Sequence, residues 1–488
     1  MARNRRARFH GGPSGVKRPL VITGSALGML LLLAGPAAAQ ELDATATVQL
    51  NLDVVFYMLA IALVFIMQAG FAMLETGLTR SKNAANIMMK NLADMSFGIV
   101  AYFLVGFGLM YGASAAGLIG TDSFALTAGS YTDGLTAPVT EAGAIPIGVD
   151  FLYQAVFAAT AGTIVSGAVA GRIRFAGFVA ISIALTAIIY PIVGHWVWGG
   201  GWLSELGYID FAGSSVVHMT GGVAALTLAA ILGPRRGKFG PDRKARVIPG
   251  HSAPLVALGT FILFFGWFGF NGGSVLAADG VSIAPVLTTT TLAGCAGGIS
   301  AMLFTWVRYS KPDLSMTCNG ILAGLVGITA GPDLVGGIGA LGVGVAAGVL
   351  VALSVAAVDR LGIDDAVGAF SVHGTCGVLG CLWLALFGNE VGLFTGGGAS
   401  QLITQLTGVV AIAAIVAMLS AVVGFALKAA GVLRVSEDEE IEGLDIHEHG
   451  MYGYPEAALG AAVYPAGPRT SPTGEIVAPD SDKVLQDS

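Results

Sequence analysis

Two histidines stand in matching apolar stretches of this 488-residue chain. His218 lies in the segment VHMTGGV and His373 in the segment VHGTCGV, and an aspartate, Asp210 or Asp365, precedes each histidine by eight residues. Composition bias does not explain a shared frame of this kind, so the pattern indicates an internal repeat. A neutral imidazole offers one hydrogen-bond donor and one acceptor, so two of them can pass a small polar molecule or relay a proton.

The composition places these histidines in a membrane. Hydrophobic residues make up 55% of the chain and charged residues only 11%, against roughly 25% charged residues in soluble domains. Apolar windows of about 20 residues, the length of helix that crosses a bilayer, predict eleven spans. The predicted spans are 54–74, 92–118, 151–171, 176–197, 214–233, 254–271, 284–307, 316–330, 334–358, 368–388 and 403–428.

The basic residues orient these spans. All sixteen Lys and Arg residues between positions 41 and 434 follow odd-numbered spans, and the other connections hold only acidic charges. The positive-inside rule therefore predicts an amino terminus outside the cell, a cytoplasmic carboxyl tail and a multi-pass protein of the inner (plasma) membrane.

The orientation of the spans predicts the direction and the depth of the two histidine motifs in the membrane. His218 falls in span five and His373 in span ten, so the two copies cross the membrane in opposite directions. A rise of 1.5 Å per residue carries each histidine about 12 Å inward from its aspartate, close to the midplane. One buried histidine is often merely structural, but two at matching repeat positions favour a functional role. We predict an all-α polytopic membrane protein of 11 transmembrane helices, with a five-plus-five inverted repeat around a central pore and one extra carboxyl-terminal helix.

The chain ends have other properties. Residues 1–39 combine a basic start, an apolar run and the small-residue site AAA, which favours a cleavable signal peptide over an uncleaved first helix. Residues 40–433 would form the transmembrane domain. Residues 434–488 would be a cytoplasmic tail that is partly disordered, because prolines interrupt its distal part, while 443–454 carries side chains able to dock. The tail histidines His447 and His449 are better explained as solvated residues than as a metal site.

Aromatic residues supply a second feature, although packing and interface roles account for most of them. Trp198 offers an indole face to a cation, Ser274 offers a hydroxyl, and the outer connections contain no base. We find no acidic or basic side chain within the spans that could hold a permanent ion at the midplane. An isolated charge in such a medium costs tens of kcal/mol, so the cargo should be a cation that can shed its charge. Ammonium does so, whereas potassium cannot.

The segments DFAGSSVVH at 210–218, WFGFNGGS at 267–274 and VHG at 372–374 resemble those of the ammonium transporter family, which includes the Amt, Mep and Rh proteins. The resemblance covers roughly residues 50–450. It implies that His218 and His373 are the twin histidines of an ammonia-conducting pore. The remaining implied site residues are the phenyl gate Phe157 and Phe270, the recruitment site Trp198, Phe157 and Ser274, and the supporting residues Asp210 and Trp267.

The resemblance also implies partners. Family members transport ammonium and methylammonium, form homotrimers in the lipid bilayer and meet PII-type signal proteins through the tail, which here departs from the family pattern at residues 451–454. No cofactor, metal or nucleic acid is expected, and an enzyme is disfavoured because no nucleophile or metal-ligand set accompanies the histidines. Two alternatives stay open: an ammonium sensor that signals through the tail, and an electroneutral gas channel of the Rh type.

Overall fold

The computed structural model describes the backbone of residues 25–126, 131, 139–140, 143–455, 469–470 and 476–477, and the side chains of residues 44–126, 131 and 143–455. The predicted signal peptide at 1–39 and the distal tail beyond residue 455 therefore lie outside the residues with described side chains. The chain divides into two units, 1–49 and 50–488. The first is described only as the beginning of helix α1, and all that follows concerns the second.

The fold is built almost entirely from helices. The α-helices are α1 Ser25–Phe65, α2 Met67–Leu78, α3 Ala84–Ala101, α4 Phe107–Tyr111, α5 Ile147–Ala168, α6 Phe175–Ala184, α7 Tyr190–Val197, α8 Trp202–Glu205, α9 Thr220–Leu232, α10 Ala253–Gly273, α11 Gly280–Tyr309, α12 Leu314–Ile328, α13 Gly337–Arg360, α14 Cys376–Phe387, α15 Ser400–Ala429, α16 Glu437–Glu442 and α17 Leu444–His449. A 3₁₀ turn covers Ser81–Asn83, and π-helical turns cover Tyr102–Gly106, Leu185–Ile189, Ser214–Met219 and Phe370–Thr375. Short antiparallel pairs join β1 Ser114–Ala115 with β2 Ile119–Gly120, β3 Val139–Thr140 with β4 Gly143–Ala144, and β5 Arg469–Thr470 with β6 Ile476–Val477.

Ten helical segments within the described part of the chain are long and apolar enough to cross a membrane. They are Ala44–Leu78, Ser81–Tyr111, Ile147–Ala168, Phe175–Glu205, Ser214–Leu232, Ala253–Gly273, Gly280–Tyr309, Gly337–Arg360, Phe370–Phe387 and Ser400–Ala429. Helix α12 is a shorter apolar helix. Each predicted span overlaps one of these eleven segments.

The second predicted span, 92–118, has the wrong limits. The helical segment starts at Ser81 and ends at Tyr111, after which the chain turns into the β1–β2 hairpin. Hydropathy excluded the first turns of this segment because they contain Lys90 and Asn91, yet the fold buries both side chains. Hydropathy does not record whether polar residues have partners inside a bundle, so it placed the start of this span too late.

Glycines allow the helices to approach closely. In α11, a methyl group on Gly297 would lie under 3.0 Å from the carbonyl oxygen of Gly320 in α12. A methyl group on Gly348 in α13 would meet the carbonyl oxygen of Gly297 equally closely. Backbone-to-backbone packing of this type replaces the hydrophobic drive that is missing between helices in lipid. Helix α5 is almost wholly buried, so it forms the centre of the bundle, whereas α15 exposes most of its surface.

The proximal tail packs against one end of the bundle, which we name the tail side. The main-chain N–H of Asn86 donates to Asp445 at 2.8 Å, and that of Leu444 donates to Asn83 at 3.0 Å. The ammonium group of Lys82 donates to the main-chain oxygens of Glu440 and Ile441. The predicted docking of residues 443–454 is thus present, and α16 and α17 cover the start of the second membrane segment.

The opposite end of the bundle is named the mouth side. The segment Phe175–Glu205 starts on the tail side, where the N–H of Arg174 bonds to the carbonyl of Leu433, and so its other end lies on the mouth side. His195 is fully buried near this end. Its ring bonds to the carbonyl oxygen of Met110 at 2.8 Å and to the hydroxyl of Ser114 at 2.9 Å.

Candidate functional site

Both motif histidines lie in π-helical turns. His218 belongs to the turn Ser214–Met219, named the first histidine turn, and His373 to the turn Phe370–Thr375, named the second. Each turn opens directly into an α-helix, α9 or α14. The backbone hydrogen bonds of a π-helical turn join residues i and i+5, unlike those of a regular α-helix, and such turns occur frequently at functional sites.

The motif aspartates begin these two turns in the same way. Asp210 accepts hydrogen bonds from the N–H groups of residues 213, 214, 215 and 216, at 2.7–3.0 Å, and from the hydroxyl of Ser215 at 2.6 Å. Asp365 accepts from the N–H groups of residues 368, 369 and 370 at 2.8–3.1 Å. The offset from aspartate to first partner is therefore identical in the two copies. Burial raises the pKa of both carboxyl groups, although these hydrogen bonds oppose the shift.

The glycines of the two motifs pack against each other reciprocally. A methyl group on Gly222 would lie under 3.0 Å from the main chain of Gly374, next to His373. A methyl group on Gly377, the equivalent position of the second motif, would lie that close to the carbonyl oxygen of Ser214 in the first histidine turn. Only residues without a side chain permit this crossing, which brings the two histidines together.

The two imidazole rings are in contact. Their Nδ1 atoms lie 3.2 Å apart, and the ring centroids are separated by 5.2 Å at an interplanar angle of 28°. Both side chains are buried. The Nε2 atom of His218, on the far side of its ring, has no hydrogen-bond partner among the described residues. The pair therefore includes one buried polar atom that the described residues do not satisfy.

Two aromatic rings hold His218 on its mouth-side flank. Trp267 and Phe270 of α10 stack on the imidazole with centroid distances of 5.0 and 5.2 Å. The indole N–H of Trp267 donates to the hydroxyl of Thr329 at 2.9 Å, which fixes the indole in place. The imidazole is consequently clamped between an aromatic wall and the second histidine.

The ring column continues toward the mouth side. Phe157 stacks on Phe270 with a centroid distance of 4.1 Å and an interplanar angle of 21°, and both rings are buried. Trp198 meets Phe157 edge to face at 6.3 Å. The indole N–H of Trp198 donates to the main-chain oxygen of Asp210 at 2.8 Å, so the first motif also positions this outermost ring.

The residues named by the sequence thus form one column in the order Trp198, Phe157, Phe270, His218, His373. Ser274 stands beside this column, since its hydroxyl donates to the carbonyl oxygen of Phe270 at 2.9 Å. The carboxylate of Asp210 is not in the column. Its oxygens are occupied by the first histidine turn, so it shapes the site rather than lining it.

A model of the family described as the Ammonium Transporter Family matches residues 55–454. The chain belongs to the Ammonium Transporter Family. The match starts after the described part of the first unit and ends within the docked tail, so it includes the whole ring column.

Relatives named as ammonium transporters cover the same region. The chain is similar to ammonium transporter Amt2 of Archaeoglobus fulgidus, with 43% identity over 83% of this chain and 89% of the relative. It is 36% identical to ammonium transporter 1 member 3 of Solanum lycopersicum, over 84% of this chain and 94% of the relative.

Solved structures give the same picture of the fold. A protein titled Sensor Amt Protein superposes with a TM-score of 0.77 at 39% identity, covering 83% of this chain and 99% of that chain. Mep2 of Candida albicans superposes with a TM-score of 0.73 at 31% identity, covering 83% and 90%.

One residue of this family member's mouth-side site was missed by sequence reasoning. Tyr153 packs against Phe157 at a centroid distance of 4.7 Å and an interplanar angle of 51°, and its hydroxyl lies 3.1 Å from that of Ser274. Tyr153 precedes Phe157 by four residues in α5, which places both on one face of the helix. This four-residue spacing was the available signal, but it points to Tyr153 only once Phe157 is known to belong to the ring column.

A buried charged cluster in this family member was also missed. Glu75, Lys90 and Asp94 come from α2 and α3, and all three side chains are almost completely buried. Asp94 lies inside predicted span two, so the prediction that the spans lack such side chains overlooked it. In a linear sequence Glu75 and Lys90 look like residues at a membrane boundary. The structure describes no group of three or more His, Cys, Asp or Glu side chains that could hold a metal ion.

Proposed function

We propose that this protein is an ammonium transporter that recruits the ammonium cation on the mouth side and passes ammonia between His218 and His373. The observation that carries the proposal is the unbroken column of rings from Trp198 to His373. It begins with an indole face and a hydroxyl, narrows at two stacked phenyl rings and ends at two imidazoles in contact.

The two ends of the column have different chemistry. At the mouth side, the faces of Trp198 and Phe157 attract a cation electrostatically, and Ser274 supplies a hydroxyl oxygen. Phe157 and Phe270 act as a gate, because rings with centroids 4.1 Å apart leave no passage until they move. A bare ion behind the gate would meet only aromatic and imidazole surfaces, at a desolvation cost of tens of kcal/mol. The proton is therefore released near the gate.

The histidine pair then serves the uncharged molecule. Ammonia donates and accepts hydrogen bonds, and the unpartnered Nε2 atom of His218 offers a site where it can do so. Trp267 and Asp210 have supporting roles: one holds the imidazole and the other shapes its turn. The pair is compatible with passage of ammonia alone or with a proton relayed between the Nδ1 atoms.

The same proposal includes the topology. The matched capping by Asp210 and Asp365, the two π-turns and the reciprocal glycine contacts support an inverted repeat within an 11-helix bundle. The basic residues support a cytoplasmic tail side and an extracellular mouth side in the inner membrane. The homotrimer and the PII-type partner are further proposals. Light scattering of the purified protein tests the homotrimer, and binding of a purified PII-type protein tests the partner.

Reconstitution into liposomes tests this function. Uptake of radiolabelled methylammonium should be saturable and competed by ammonium, while potassium pulses should give no response. Equal currents for ammonium and potassium would contradict the deprotonation step. Competed uptake without any current would identify the electroneutral alternative, and protein-free liposomes give the background.

A sensor is the second candidate. It is favoured by the docked tail and by the likeness to the Sensor Amt Protein. A sensor should lose its cellular response to ammonium when residues 435–488 are deleted, while uptake by the same variant stays intact. A transporter that does not signal should show ammonium uptake and no further cellular response to ammonium, both before and after the deletion.

A further inference from the structure

A narrow cavity continues the pore beyond His373 on the tail side. Its volume is about 20 Å³, room for one small molecule, and its wall includes His373, Phe71, Asn319 and Glu75. Phe71 also contacts the imidazole of His373, with ring centroids 6.0 Å apart. Glu75 is thus the acidic side chain that shares a cavity with the second histidine.

Neutral groups of neighbouring helices hold the Glu75 carboxyl group. Its Oε2 atom accepts from the hydroxyl of Ser166 at 2.8 Å and from the amide of Asn91 at 3.2 Å. Asn91 is in turn held by the hydroxyl of Thr163 at 2.7 Å. Both of these hydrogen bonds fall on Oε2, so Oε1 is the carboxyl oxygen available to a molecule in the cavity.

Lys90 and Asp94 of α3 are the charged groups nearest Glu75, and Lys90 also faces Arg172, whose charge is balanced by the carboxylate of Asp364. Lys90 donates to the hydroxyl and to the main-chain oxygen of Ser166, at 3.1 and 2.7 Å, so one serine bridges Lys90 and Glu75. Asp94 follows Lys90 by one helical turn and accepts from Ser182 at 2.6 Å. One oxygen of Asp94 has no partner among the described residues.

These three groups contain two acids and one base. A buried cluster is most stable close to electrical neutrality, because each uncompensated charge in a low-dielectric interior costs several kcal/mol. With Lys90 charged, neutrality requires that the two carboxyl groups share one proton. The cluster therefore holds one exchangeable proton next to the pore, and Glu75 is the member that reaches the cavity.

We propose that Glu75 returns a proton to the ammonia that leaves the histidine pair. In this step the O–H bond of the carboxylic acid breaks, an N–H bond forms, and ammonium and a carboxylate result. The carboxylate attracts the new cation until it leaves, and water from the tail side then supplies a proton to Glu75. This role rests on the proposed function, because it requires ammonia to arrive from His373.

Among the three charged groups, Glu75 is the one placed to donate the proton. Lys90 and Asp94 point into the helix packing, where Lys90 faces the ring of Phe178 and Asp94 lies against Gly162. Neither contributes to the wall of the cavity. They set the charge of the cluster, whereas Glu75 contacts the substrate.

The experiment compares wild type with Glu75→Gln, which keeps the size and hydrogen-bonding capacity of the side chain but cannot release a proton. Radiolabelled methylammonium uptake is measured in vesicles sorted so that the tail faces the lumen, with lumenal pH varied and external pH fixed. Thr163→Val is the matched control, since it removes a neutral hydrogen bond from the same network. Glu75→Asp tests rescue with a shorter acid and replaces Glu75→Gln if that variant does not fold.

The expected result is that Glu75→Gln lowers the maximal uptake rate at least about fivefold, leaves KM unchanged and abolishes the dependence on lumenal pH. A fivefold change corresponds to about 1 kcal/mol. Thr163→Val keeps the acid and should therefore keep a dependence on lumenal pH, although its midpoint should move because Thr163 interacts with Glu75, and Glu75→Asp should restore part of the dependence. The proposal for Glu75 is overturned if wild type transports selectively and Glu75→Gln shows the same rate and pH profile. If wild type itself shows no selective uptake, the proposed function fails first.

Discussion

The Nδ1 atoms of His218 and His373 lie 3.2 Å apart, although 155 positions separate the two residues in the chain. When both rings are neutral, one Nδ1 must carry the proton and the other must accept it. The pair therefore adopts opposite tautomers, and exchanging them moves one proton across the contact. This geometry makes the two histidines a single unit.

Removal of either ring should damage selectivity. In His218→Ala and in His373→Ala, the ratio of ammonium to potassium response should fall about tenfold or more, because each change leaves a buried polar partner unpaired at a cost of ~1–3 kcal/mol. The double variant should be little worse than the poorer single variant, since the pair acts as a unit. Recording both responses from one liposome preparation checks this. Wild-type ratios in both single variants would make the histidines structural.

Loss of the outermost ring should weaken recruitment. Trp198→Ala should raise the KM for methylammonium about 3- to 30-fold, in keeping with ~0.5–2 kcal/mol for one cation–π contact, and change the maximal rate less. Trp202→Ala is the matched control, because Trp202 packs on Trp196 at 5.5 Å rather than on the ring column. An unaltered KM in Trp198→Ala would count against the recruitment site.

A methyl group at the motif crossing should separate the histidines. Gly222→Ala places Cβ under 3.0 Å from the main chain of Gly374, and overpacking of this type costs ~1–3 kcal/mol. Both the melting temperature in detergent and the uptake rate should fall. Gly280→Ala is the control, since a Cβ there meets no atom within 4 Å. Equal melting temperatures for the two variants would contradict the close crossing.

A buried ion pair on the tail side should make stability depend on pH. Burial alone would raise the pKa of Asp364, but the hydrogen bonds from Arg235 and the charges of Arg172 and Arg235 lower it to about 2. Arg235 binds both carboxylate oxygens at 2.8 Å. Because the usual Asp pKa is about 3.9, the unfolded chain binds more protons, and stability should be lost as pH falls from about 4 toward 2.

The variant Asp364→Asn isolates this contribution. It should reduce stability at neutral pH by on the order of 2 kcal/mol or more, and its difference from wild type should shrink as pH falls through the same window. Thermal unfolding in detergent from pH 7 to pH 2 measures it. Asp242→Asn is the control, because Asp242 pairs with Lys244 on an exposed loop. A difference independent of pH would show that the carboxylate charge of Asp364 is not responsible.

The membrane class, the approximate positions of the spans, the repeated histidine motif and the family can all be inferred from the sequence alone. These features are local: an apolar run long enough to cross a bilayer must be helical, and two motifs in one frame can be read directly. The sequence also placed Trp198, Phe157 and Phe270 in one site, but only through resemblance, because aromatic residues in membrane helices have no periodicity that separates a gate from packing.

Which groups meet depends on the packing of the helices. The position of Tyr153 beside Ser274 and the cluster of Glu75, Lys90 and Asp94 with Ser166 depend on contacts between helices distant in sequence. Hydropathy treats Lys90 as a reason to end a span, whereas the fold buries it because Ser166 accepts its hydrogen bonds. A buried charge is tolerated only beside groups that compensate it, and these groups come together only after the helices have packed.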